Sequence, residues 1–435
     1  MVKNDTIFAP ITLVGNSAIT VVRISGPETF EILKKITSIE KFSHHKVYID
    51  YIKYEDKVYD HSVITTFFSP NSYTGEDMAE ISLHGGFAVV ETFLKLLKSL
   101  NLRESERGEF TRRAFLNGKI DLVQAESILQ IINSKTERSL FLSLKNEMGE
   151  FSKKIKGIKD DFLSLKSYVQ SAIDFPDDVD WSFDNFKKEL EKVKIELESL
   201  KRSISSGRMM DKGIKVVLVG RSNTGKSTLF NRLLKQERAI VSEFEGTTRD
   251  FISEWIDVNG IPVNLTDGCG IRDTDDPIEK KGIELLLQKI ETSDLVIFIY
   301  DLTKGLLEED KKILQLIEHK DPIIVGNKCD LSNSKKYEGI KISALTGENL
   351  NLLNEEIFKR INFSDETIIV SQHQFNVIEK MFDEMVKLEN LNIKHEPEII
   401  DFHLKNMIDQ CNMLLGKITD EEILDRIFSN FCIGK

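Results

Sequence analysis

Residues 220–227 form a glycine-rich segment suited to holding the phosphates of a nucleotide. The segment reads Gly-Arg-Ser-Asn-Thr-Gly-Lys-Ser and matches the phosphate-loop pattern G-x-x-x-x-G-K-[ST]. Its glycines let backbone N–H groups wrap the phosphates, while a lysine reaches the β- and γ-phosphates and a serine can hold magnesium. A β-branched run precedes it and an apolar run at helical spacing follows it, which argues against a chance match. The predicted phosphate-binding residues are Asn223, Thr224, Gly225, Lys226, Ser227 and Thr228.

The segment Asn327–Asp330 predicts which base is bound. It follows the apolar run 323–325, so it lies where a buried strand ends, and α/β folds bind ligands at such ends. The carboxylate of Asp330 can accept hydrogen bonds from the N1–H and 2-amino groups of guanine. Adenine offers no such pair of donors, so the residue favours GTP over ATP. Asn327 is expected to brace the pocket, and Lys328 belongs to the same motif.

Two further segments complete the predicted GTP site. Ser343 and Ala344 follow a strand-like run, and small residues there let backbone N–H groups approach the guanine oxygen. Asp267 and Gly270 have D-x-x-G spacing after another strand-like run. That spacing puts a carboxylate on the magnesium shell and a glycine amide on the γ-phosphate. The loop 246–250 could supply a threonine to magnesium when the γ-phosphate is present.

Composition limits the classes of protein to consider. The chain has 435 residues, 40% of them hydrophobic, and contains no run of 18 apolar residues. Residues 1–6 lack the apolar core of a signal peptide, so we expect a cytoplasmic protein without a membrane partner. Four cysteines without a C-x-x-C pair predict neither a disulfide framework nor a zinc site.

The net charge of −12 argues against attraction of the whole surface to nucleic acid, so any RNA contact must be local. One cluster of basic residues is a candidate, but glutamates interleave with it, and a solvated charged face is the favoured alternative. The cluster is Arg103, Arg107, Arg112, Arg113 and Lys119.

The segment 6–118 reads as an α+β domain, with a strand at 19–25, a hairpin at 51–68 and a helix at 88–100. Two polar segments inside it, 71–77 and 108–119, stand out. No chemistry can be assigned to them from sequence, and a turn and a helix cap are the alternative.

From residue 120 the pattern becomes helical, and apolar residues between 190 and 204 fall on one helix face. Ser205–Gly207 is expected to end that helix, and packing in a helix bundle is favoured over a coiled coil. From 213 to 362 strands alternate with helices, as in a doubly wound parallel sheet, and an Asn259-Gly260 turn joins two of the strands.

After residue 371 the chain is helical again, so the α/β part reads as an insertion between helices that form one bundle. The predicted fold is therefore multidomain, with an α+β N-terminal domain, an α-helical bundle and an inserted α/β P-loop domain. The predicted domain ranges are 1–118, 119–212, 213–363 and 364–435.

The chain resembles the MnmE (TrmE) family of tRNA-modification GTPases over essentially its whole length. Phe431–Lys435 fits the family signature C-[ILV]-G-K, and 220–227, 246–250 and 327–330 fit its G-domain motifs. The resemblance implies a cytosolic GTPase that dimerises through its N-terminal domain and forms a heterotetramer with the FAD-dependent protein MnmG. It also implies modification of carbon 5 of the wobble uridine of certain tRNAs, with 5-formyltetrahydrofolate as one-carbon donor. FAD would belong to the partner only.

The resemblance also implies roles for individual residues. Residues at the folate-contacting positions are Arg23, Glu80, Lys119 and Lys435. Residues at the potassium positions are Asn223, Ser242, Phe244 and Thr247, and those at the magnesium positions are Ser227 and Thr248.

Catalytic roles are implied for Glu279, Lys226 and Cys432. Ile271 stands where many GTPases carry a water-orienting glutamine, so another polar group is required, and Glu279 matches the family's catalytic glutamate. Glu279 is placed in the acidic run that begins at Asp273, which is expected to be a loop that becomes ordered only when two G domains meet. Cys432 could be a nucleophile favoured by the neighbouring Lys435, and a structural or pocket-lining cysteine is the alternative.

One departure from the family pattern concerns Asp267–Gly270, which reads D-G-C-G instead of D-T-A-G and is expected to add backbone freedom. Two other classes share such a G domain. An assembly GTPase should carry an RNA-binding module, and no G-x-x-G clamp is found between helices. A membrane-remodelling GTPase should carry a basic amphipathic helix or an apolar insertion loop, and the acidic helices predicted here supply neither.

Overall fold

The computed structural model describes residues 5–175, 183–236, 253–268, 277–331, 337–360, 367–390, 397–418 and 420–435. The strands in these ranges are β1 (Ile7–Pro10), β2 (Ile19–Ser25), β3 (Lys46–Tyr54), β4 (Lys57–Phe67), β5 (Met78–His84), β6 (Arg103–Glu104), β7 (Ile214–Val219), β8 (Ser253–Val258), β9 (Ile261–Asp267), β10 (Leu295–Asp301), β11 (Ile323–Asn327) and β12 (Ile340–Lys341). The helices are α1 (Thr29–Ile36), α2 (Phe87–Ser99), α3 (Glu109–Leu116), α4 (Leu122–Asn133), α5 (Glu137–Glu147), α6 (Glu150–Asp174), α7 (Phe183–Lys212), α8 (Lys226–Gln236), α9 (Pro277–Glu291), α10 (Glu308–Ile317), α11 (Leu350–Arg360), α12 (Gln372–Asn390), α13 (Pro397–Leu414) and α14 (Glu421–Phe428).

The chain forms two compact units. The first contains Met1–Leu129, Glu147–Val179 and Asn390–Lys435, and the second contains Gln130–Asn146 and Asp180–Glu389. Within the described ranges, no helix has the length and apolar character needed to cross a bilayer. The four domain ranges given by the sequence stay a prediction.

The first unit is built on a six-stranded sheet in the order β3-β4-β5-β2-β1-β6. All its strand pairs are antiparallel except β1 with β6. Side chains alternate between the two faces of such a sheet, and one face, with Val22, Ile24 and Ile81, forms a core with helices α1 and α2. Arg23 and Glu80, which pair across β2 and β5, lie on the other face. The α+β prediction for this segment is confirmed.

The second unit contains a sheet in the order β12-β11-β10-β7-β9-β8, in which only the β8–β9 pair is antiparallel. Apolar clusters cover both of its faces, so the predicted doubly wound sheet is confirmed. Because β7, β9 and β10 run parallel, their carboxyl ends lie at one edge of the sheet. The phosphate loop, Asp267 and Asp301 follow or end those three strands.

The predicted Asn-Gly turn joins β8 to β9, and both of its residues have positive φ, 52° at Asn259 and 84° at Gly260. A segment far away in sequence holds this turn. The Thr136 hydroxyl donates to the Gly260 carbonyl at 2.7 Å, and the Lys135 ammonium lies 3.1 Å from the centre of the Trp255 ring. The hairpin is therefore fixed by residues that precede helix α5.

Helices that come before and after the inserted sheet pack together within each unit. In the first unit α6 packs against α13. In the second, α7 lies along α12, with Lys194 bonded to Glu389 at 2.6 Å and Lys201 to Glu379 at 3.2 Å. The bundle-type packing of the helices is confirmed.

The expectation that Ser205–Gly207 ends a helix is wrong, because α7 continues to Lys212. Gly207 is required there by close packing: a Cβ atom would lie 1.8 Å from the carbonyl oxygen of Ile368. That oxygen belongs to a segment that runs against the helix, with Ile368 N donating to Ser203 O at 3.1 Å. The serine hydroxyls bond back to helix carbonyls, as Ser205 does to Lys201 O at 2.9 Å.

Arg113 on α3 is the centre of a buried ionic network in the first unit, although the sequence offered it as part of a basic surface. Its side chain is 3% exposed and bonds Asp5 at 2.6 Å, Glu109 at 2.9 Å and Glu76 at 3.2 Å. Arg103 bonds Asp5 and Glu109 as well. Burial alone would raise the pKa of Glu109, but hydrogen bonds from Arg103, from the Glu106 backbone and from Arg113 lower it. These arginines are neutralised by their partners.

We expect Arg113→Met to destabilise the folded chain by about 3 kcal/mol, because it leaves three carboxylates without their shared cation. Arg112→Met is the matched control. Arg112 precedes it on the same helix, and its one ion pair among the described residues is with Asp425, which is 63% exposed; such pairs are worth about 1 kcal/mol or less. Chemical unfolding of both variants measures the difference, and equal losses would contradict the central role of Arg113.

The same network predicts a pH dependence. The folded-state pKa values of Asp5 and Glu109 are lowered, so their stabilisation is present above the unfolded values of about 3.9 and 4.3. It is lost as the pH falls through the folded pKa values. The stability difference between the wild type and Arg113→Met should therefore shrink in acid.

Candidate functional site

The phosphate loop connects the end of β7 to the start of α8, as the sequence predicts. Lys226 is the first residue of α8 and is 7% exposed. Its ammonium donates to Gly220 O at 3.0 Å and to Arg221 O at 2.8 Å, so it closes the loop on itself. Gly225 has a φ of +98°, and a Cβ atom there would lie 2.2 Å from Nδ2 of Asn327. Only glycine fits that position.

Asn327 joins three of the predicted segments. Its Nδ2 donates to Thr224 O in the phosphate loop at 2.8 Å, and its Oδ1 accepts from Ala344 N at 2.9 Å. Ser343 and Ala344 are buried. Asp330 is exposed and lies in the short 3-10 turn Cys329–Leu331, which comes soon after Asn327. The amide therefore holds the phosphate loop against the segments predicted to bind the base.

Ser227 and Asp267 meet where a magnesium ion is predicted. The Ser227 hydroxyl donates to Oδ2 of Asp267 at 2.7 Å. Oδ1 of Asp267 is buried and has no hydrogen-bond partner among the described residues. A hydroxyl beside a carboxylate with one uncommitted oxygen is an oxygen-ligand set of the kind magnesium prefers, so these residues fit the ion.

The next residue, Gly268, is held rather than loosened. Its N–H donates to Leu218 O at 3.2 Å, and a Cβ atom would lie 2.2 Å from that same oxygen. The expected extra backbone freedom is thus offset by a close approach between β9 and β7 that only glycine permits.

Several predicted site residues lie outside the described residues: Ser242, Phe244, Thr247, Thr248 and Gly270. The structure describes only the backbone at Glu279, which belongs to the first turn of α9. That helix begins at Pro277, a position that proline favours because its ring presets φ and the first turn needs no N–H from it. Glu279 is therefore part of a helix and does not continue the expected loop.

Lys328 contacts both Asn223 in the phosphate loop and Asp301, and the sequence analysis did not identify Asp301 as part of the site. Lys328 Nζ donates to Asn223 O at 3.1 Å and to Oδ2 of Asp301 at 2.6 Å. Asp301 is the last residue of the buried strand β10, so the strand-end argument applied to Asp330 would have found it. Burial alone would raise the pKa of Asp301, but hydrogen bonds from Lys328 and Thr303 lower it.

A second anchor of the phosphate loop also carries no sequence motif. Arg221 Nε donates to Oδ1 of Asp310 on α10 at 2.8 Å, and Asp310 is fully buried. That aspartate also accepts from Leu307 N at 3.0 Å. The pair fixes the start of the loop against α10.

The predicted folate residues form a separate cluster in the first unit. Arg23 bonds Glu80 through Nε and Nη2, at 3.0 and 2.7 Å. The guanidinium lies 4.9 Å from the ring centre of Tyr73 and 5.4 Å from that of Phe110. These two rings come from the polar segments 71–77 and 108–119; the first is a loop, and the second contains helix α3, which starts after Gly108.

Lys119 and Lys435 reach the same neighbourhood through different contacts. Lys119 Nζ donates to Pro70 O at 2.9 Å, and its chain packs against Gly75 in the loop that carries Tyr73. Phe110 N donates to Lys435 O at 3.1 Å. Cys432 is exposed and its carbonyl accepts from Gly108 N at 3.4 Å. The four predicted folate residues therefore all lie near Phe110 or the loop that carries Tyr73.

Family models match both parts of the chain. The model described as MnmE helical domain matches residues 122–432, and the model described as GTP-binding protein TrmE N-terminus matches residues 6–119.

Whole proteins are similar over their full length. The tRNA modification GTPase MnmE of Thermosipho melanesiensis is 41% identical over 443 residues, which cover 99% of this chain and 100% of that protein. The protein of the same description from Aquifex aeolicus is 38% identical over 449 residues, with 99% and 100% covered. Among solved structures, Aquifex aeolicus Era bound to GDP and aluminium fluoride is 26% identical and covers 41% of this chain and 68% of that chain. The TM-score of this match is 0.30.

We expect Gly225→Ala to weaken GDP binding at least tenfold, because the new methyl group displaces the Asn327 amide and leaves buried polar groups without partners. Gly305→Ala is the matched control, since Gly305 also has a positive φ, +67°, but has no neighbouring atom within 4 Å of a Cβ. Titration with a fluorescent GDP analogue measures both. Equal weakening by the two changes would mean that backbone strain, and not the Asn327 contact, sets the affinity.

Proposed function

This chain belongs to the MnmE family of tRNA modification GTPases, and on that basis we propose that it hydrolyses GTP as part of tRNA modification. The observation that carries GTP binding is the Asn327 side chain, whose two hydrogen bonds join the phosphate loop to the base-binding segments. Family membership supports tRNA as the substrate of the modification.

In the nucleotide site we assign Asp330 to the guanine edge and the phosphate-loop backbone, with Lys226, to the phosphates. Ser227, Thr248 and Asp267 would hold magnesium. The chemistry that a magnesium ion supplies at such a site is neutralisation of the charge on the β- and γ-phosphates. The hydrogen bond between Ser227 and Asp267, with one Asp267 oxygen left over, supports this assignment.

Hydrolysis is proposed to depend on potassium and on contact between two G domains. Asn223 would bind the cation together with Ser242, Phe244 and Thr247, and Glu279 would act on the attacking water. The exposed position of Asn223 and the hydrogen bond from Lys328 to its carbonyl support a fixed loop with an accessible side chain. A cation at that point replaces the charge that other GTPases take from an arginine finger.

The first unit is proposed to bind 5-formyltetrahydrofolate. Arg23, Lys119 and Lys435 suit the carboxylates of folate, and Glu80 suits the amino donors of a pterin. Arg23 and Glu80 have partly exposed side chains, 13% and 26%, and so remain open to a ligand. The one-carbon unit would serve a modification carried out with MnmG, which would supply FAD. In this scheme the C-terminal Cys432 is a candidate nucleophile.

The open face of the sheet in the first unit supports dimerisation there. Its apolar side chains are well exposed: Val47 58%, Ile49 69%, Tyr51 47%, Val63 38% and Ile19 56%. Strand register puts them on the same face as Arg23 and Glu80. Exposed apolar side chains on one face fit a second copy of the chain, which would cover them and enclose the folate residues.

The test of the function is mass spectrometry of wobble uridines in a strain from which the gene is deleted. Carbon-5-modified wobble uridines should be lost and should return with the wild-type gene but not with Asn327→Ala. If the deletion strain has the same level of unmodified wobble uridine as its parent strain, the result would instead favour a GTPase that assembles complexes without RNA chemistry.

Asp330→Asn should exchange a preference for guanine for one for xanthine, because an amide can donate to the xanthine oxygen where the carboxylate accepted from guanine. GTP affinity should fall by roughly 2 kcal/mol or more, the range for a charged group that loses its partners. Competition between GTP and XTP measures this. Unchanged affinities for both nucleotides would refute the assignment of the base pocket.

Glu279→Ala should slow hydrolysis and leave GTP affinity nearly unchanged, the pattern of a group that acts only in the transition state. In the wild type, a non-hydrolysable GTP analogue with potassium should bring two G domains together, and sodium or GDP should not. Spin-label distances between the G domains check this. A distance that is the same in every nucleotide state would rule out the dimerisation mechanism even where GTP is hydrolysed.

A further inference from the structure

Asp301 ends the central strand β10 with its carboxylate held in one orientation. Its side chain is 6% exposed. Oδ1 accepts from the N–H of Thr303 at 2.9 Å and from its hydroxyl at 2.6 Å. Oδ2 accepts from Lys328 Nζ at 2.6 Å. Because all seven residues of β10 are buried, the carboxylate stands on a rigid base.

Lys328 links Asp301 to the phosphate loop. Its ammonium also donates to the carbonyl of Asn223 at 3.1 Å, so one cation bridges a strand end and a loop. Both residues have left-handed backbones, with φ of +70° at Lys328 and +63° at Asn223. Residues other than glycine adopt that conformation at a cost, so they need partners that hold it.

A lysine side chain is long and flexible, and its three donors can find several acceptors. The fixed carboxylate of Asp301 selects the one placement of the ammonium that reaches Asn223 O. Without the charge on Asp301, no ion pair holds the Lys328 ammonium at the position from which it donates to Asn223 O. Asn223 would then lose the hydrogen bond that holds its backbone.

We propose that Asp301 is a positioning residue for nucleotide and potassium binding, which acts through Lys328 on the backbone of Asn223. The inference rests on the proposed function for its potassium part, because Asn223 is the residue assigned there to the cation. It adds a residue outside the nucleotide-binding motifs and connects the guanine segment to the phosphate loop.

The first test changes the charge and keeps the shape. In the intact chain, Asp301→Asn should weaken binding of a fluorescent GDP analogue about tenfold, because the ion pair with Lys328 becomes a weaker hydrogen bond from the ammonium to a neutral amide oxygen. The potassium concentration for half-maximal hydrolysis should rise, while the rate at saturating potassium stays near that of the wild type. Asp294→Asn is the matched control. Asp294 flanks the other end of β10, is exposed, and accepts from Lys215 N at 2.9 Å; both readouts should stay unchanged.

The second test asks whether the effect passes through Lys328. GDP affinities of Asp301→Asn, Lys328→Met and the double variant form a cycle. If Asp301 acts through Lys328, Asp301→Asn should have little effect once Lys328 is replaced. An equal loss of affinity in both backgrounds would overturn the proposal, because it would mean that Asp301 acts on the fold directly.

A third variant keeps the proposal testable if Asp301→Asn does not fold. Thr303→Val removes the hydroxyl that orients the carboxylate and leaves both charges in place, so it should give a smaller loss in the same direction. Unchanged GDP affinity would count against the positioning role. GDP binding needs no potassium in this scheme. A wild type that ignores potassium would therefore defeat the potassium assignment alone, and the GDP cycle would still decide the role of Asp301.

Discussion

The nucleotide site depends on one amide group, the side chain of Asn327. Parallel strands place several loops at one edge of the sheet, but strand hydrogen bonds stop where the strands end, so the loops need other links. Asn327 gives a donor to the phosphate loop and an acceptor to the backbone of Ala344. Gly225 has no side chain because that amide fills the space. The hydrogen bonds that link the phosphate loop to Ala344, and the need for glycine at position 225, therefore both depend on Asn327.

Much of this arrangement could be predicted from sequence, because strand ends and motif spacing are local signals. The strands, the Asn-Gly turn and the order of the segments all follow from residues close together in the chain. What failed depended on distant partners. Gly207 resembles a helix end until Ile368 is known to lie against it, and Arg113 resembles a surface charge until Asp5 and Glu76 surround it. The prediction for Glu279 fails for a local reason instead: the acidic run favours a loop, but the proline that follows it starts α9.

The two candidate sites use the alternation of a sheet in different ways. In the second unit both faces are covered, so chemistry is confined to the edge where the strands end. In the first unit α1 and α2 cover one face, while Arg23 and Glu80 stand on the other, which α3 covers only in part through Phe110. A site of this second kind is finished only by whatever covers the face. In the proposed dimer, ligand affinity and oligomeric state would therefore depend on the same surface.

The contact of Thr136 and Lys135 with the β8–β9 hairpin has a practical consequence for work on excised domains. Sequence suggests cutting the α/β part at residue 213, yet a fragment that starts there lacks both of these residues. The Gly260 carbonyl would turn to water, and the face of the Trp255 indole would lose its cation. Since β9 ends in Asp267, a change in the hairpin would also change the position of this carboxylate in the proposed magnesium site. Nucleotide affinities and hydrolysis rates measured on such a truncated fragment would describe a different hairpin from that of the intact chain.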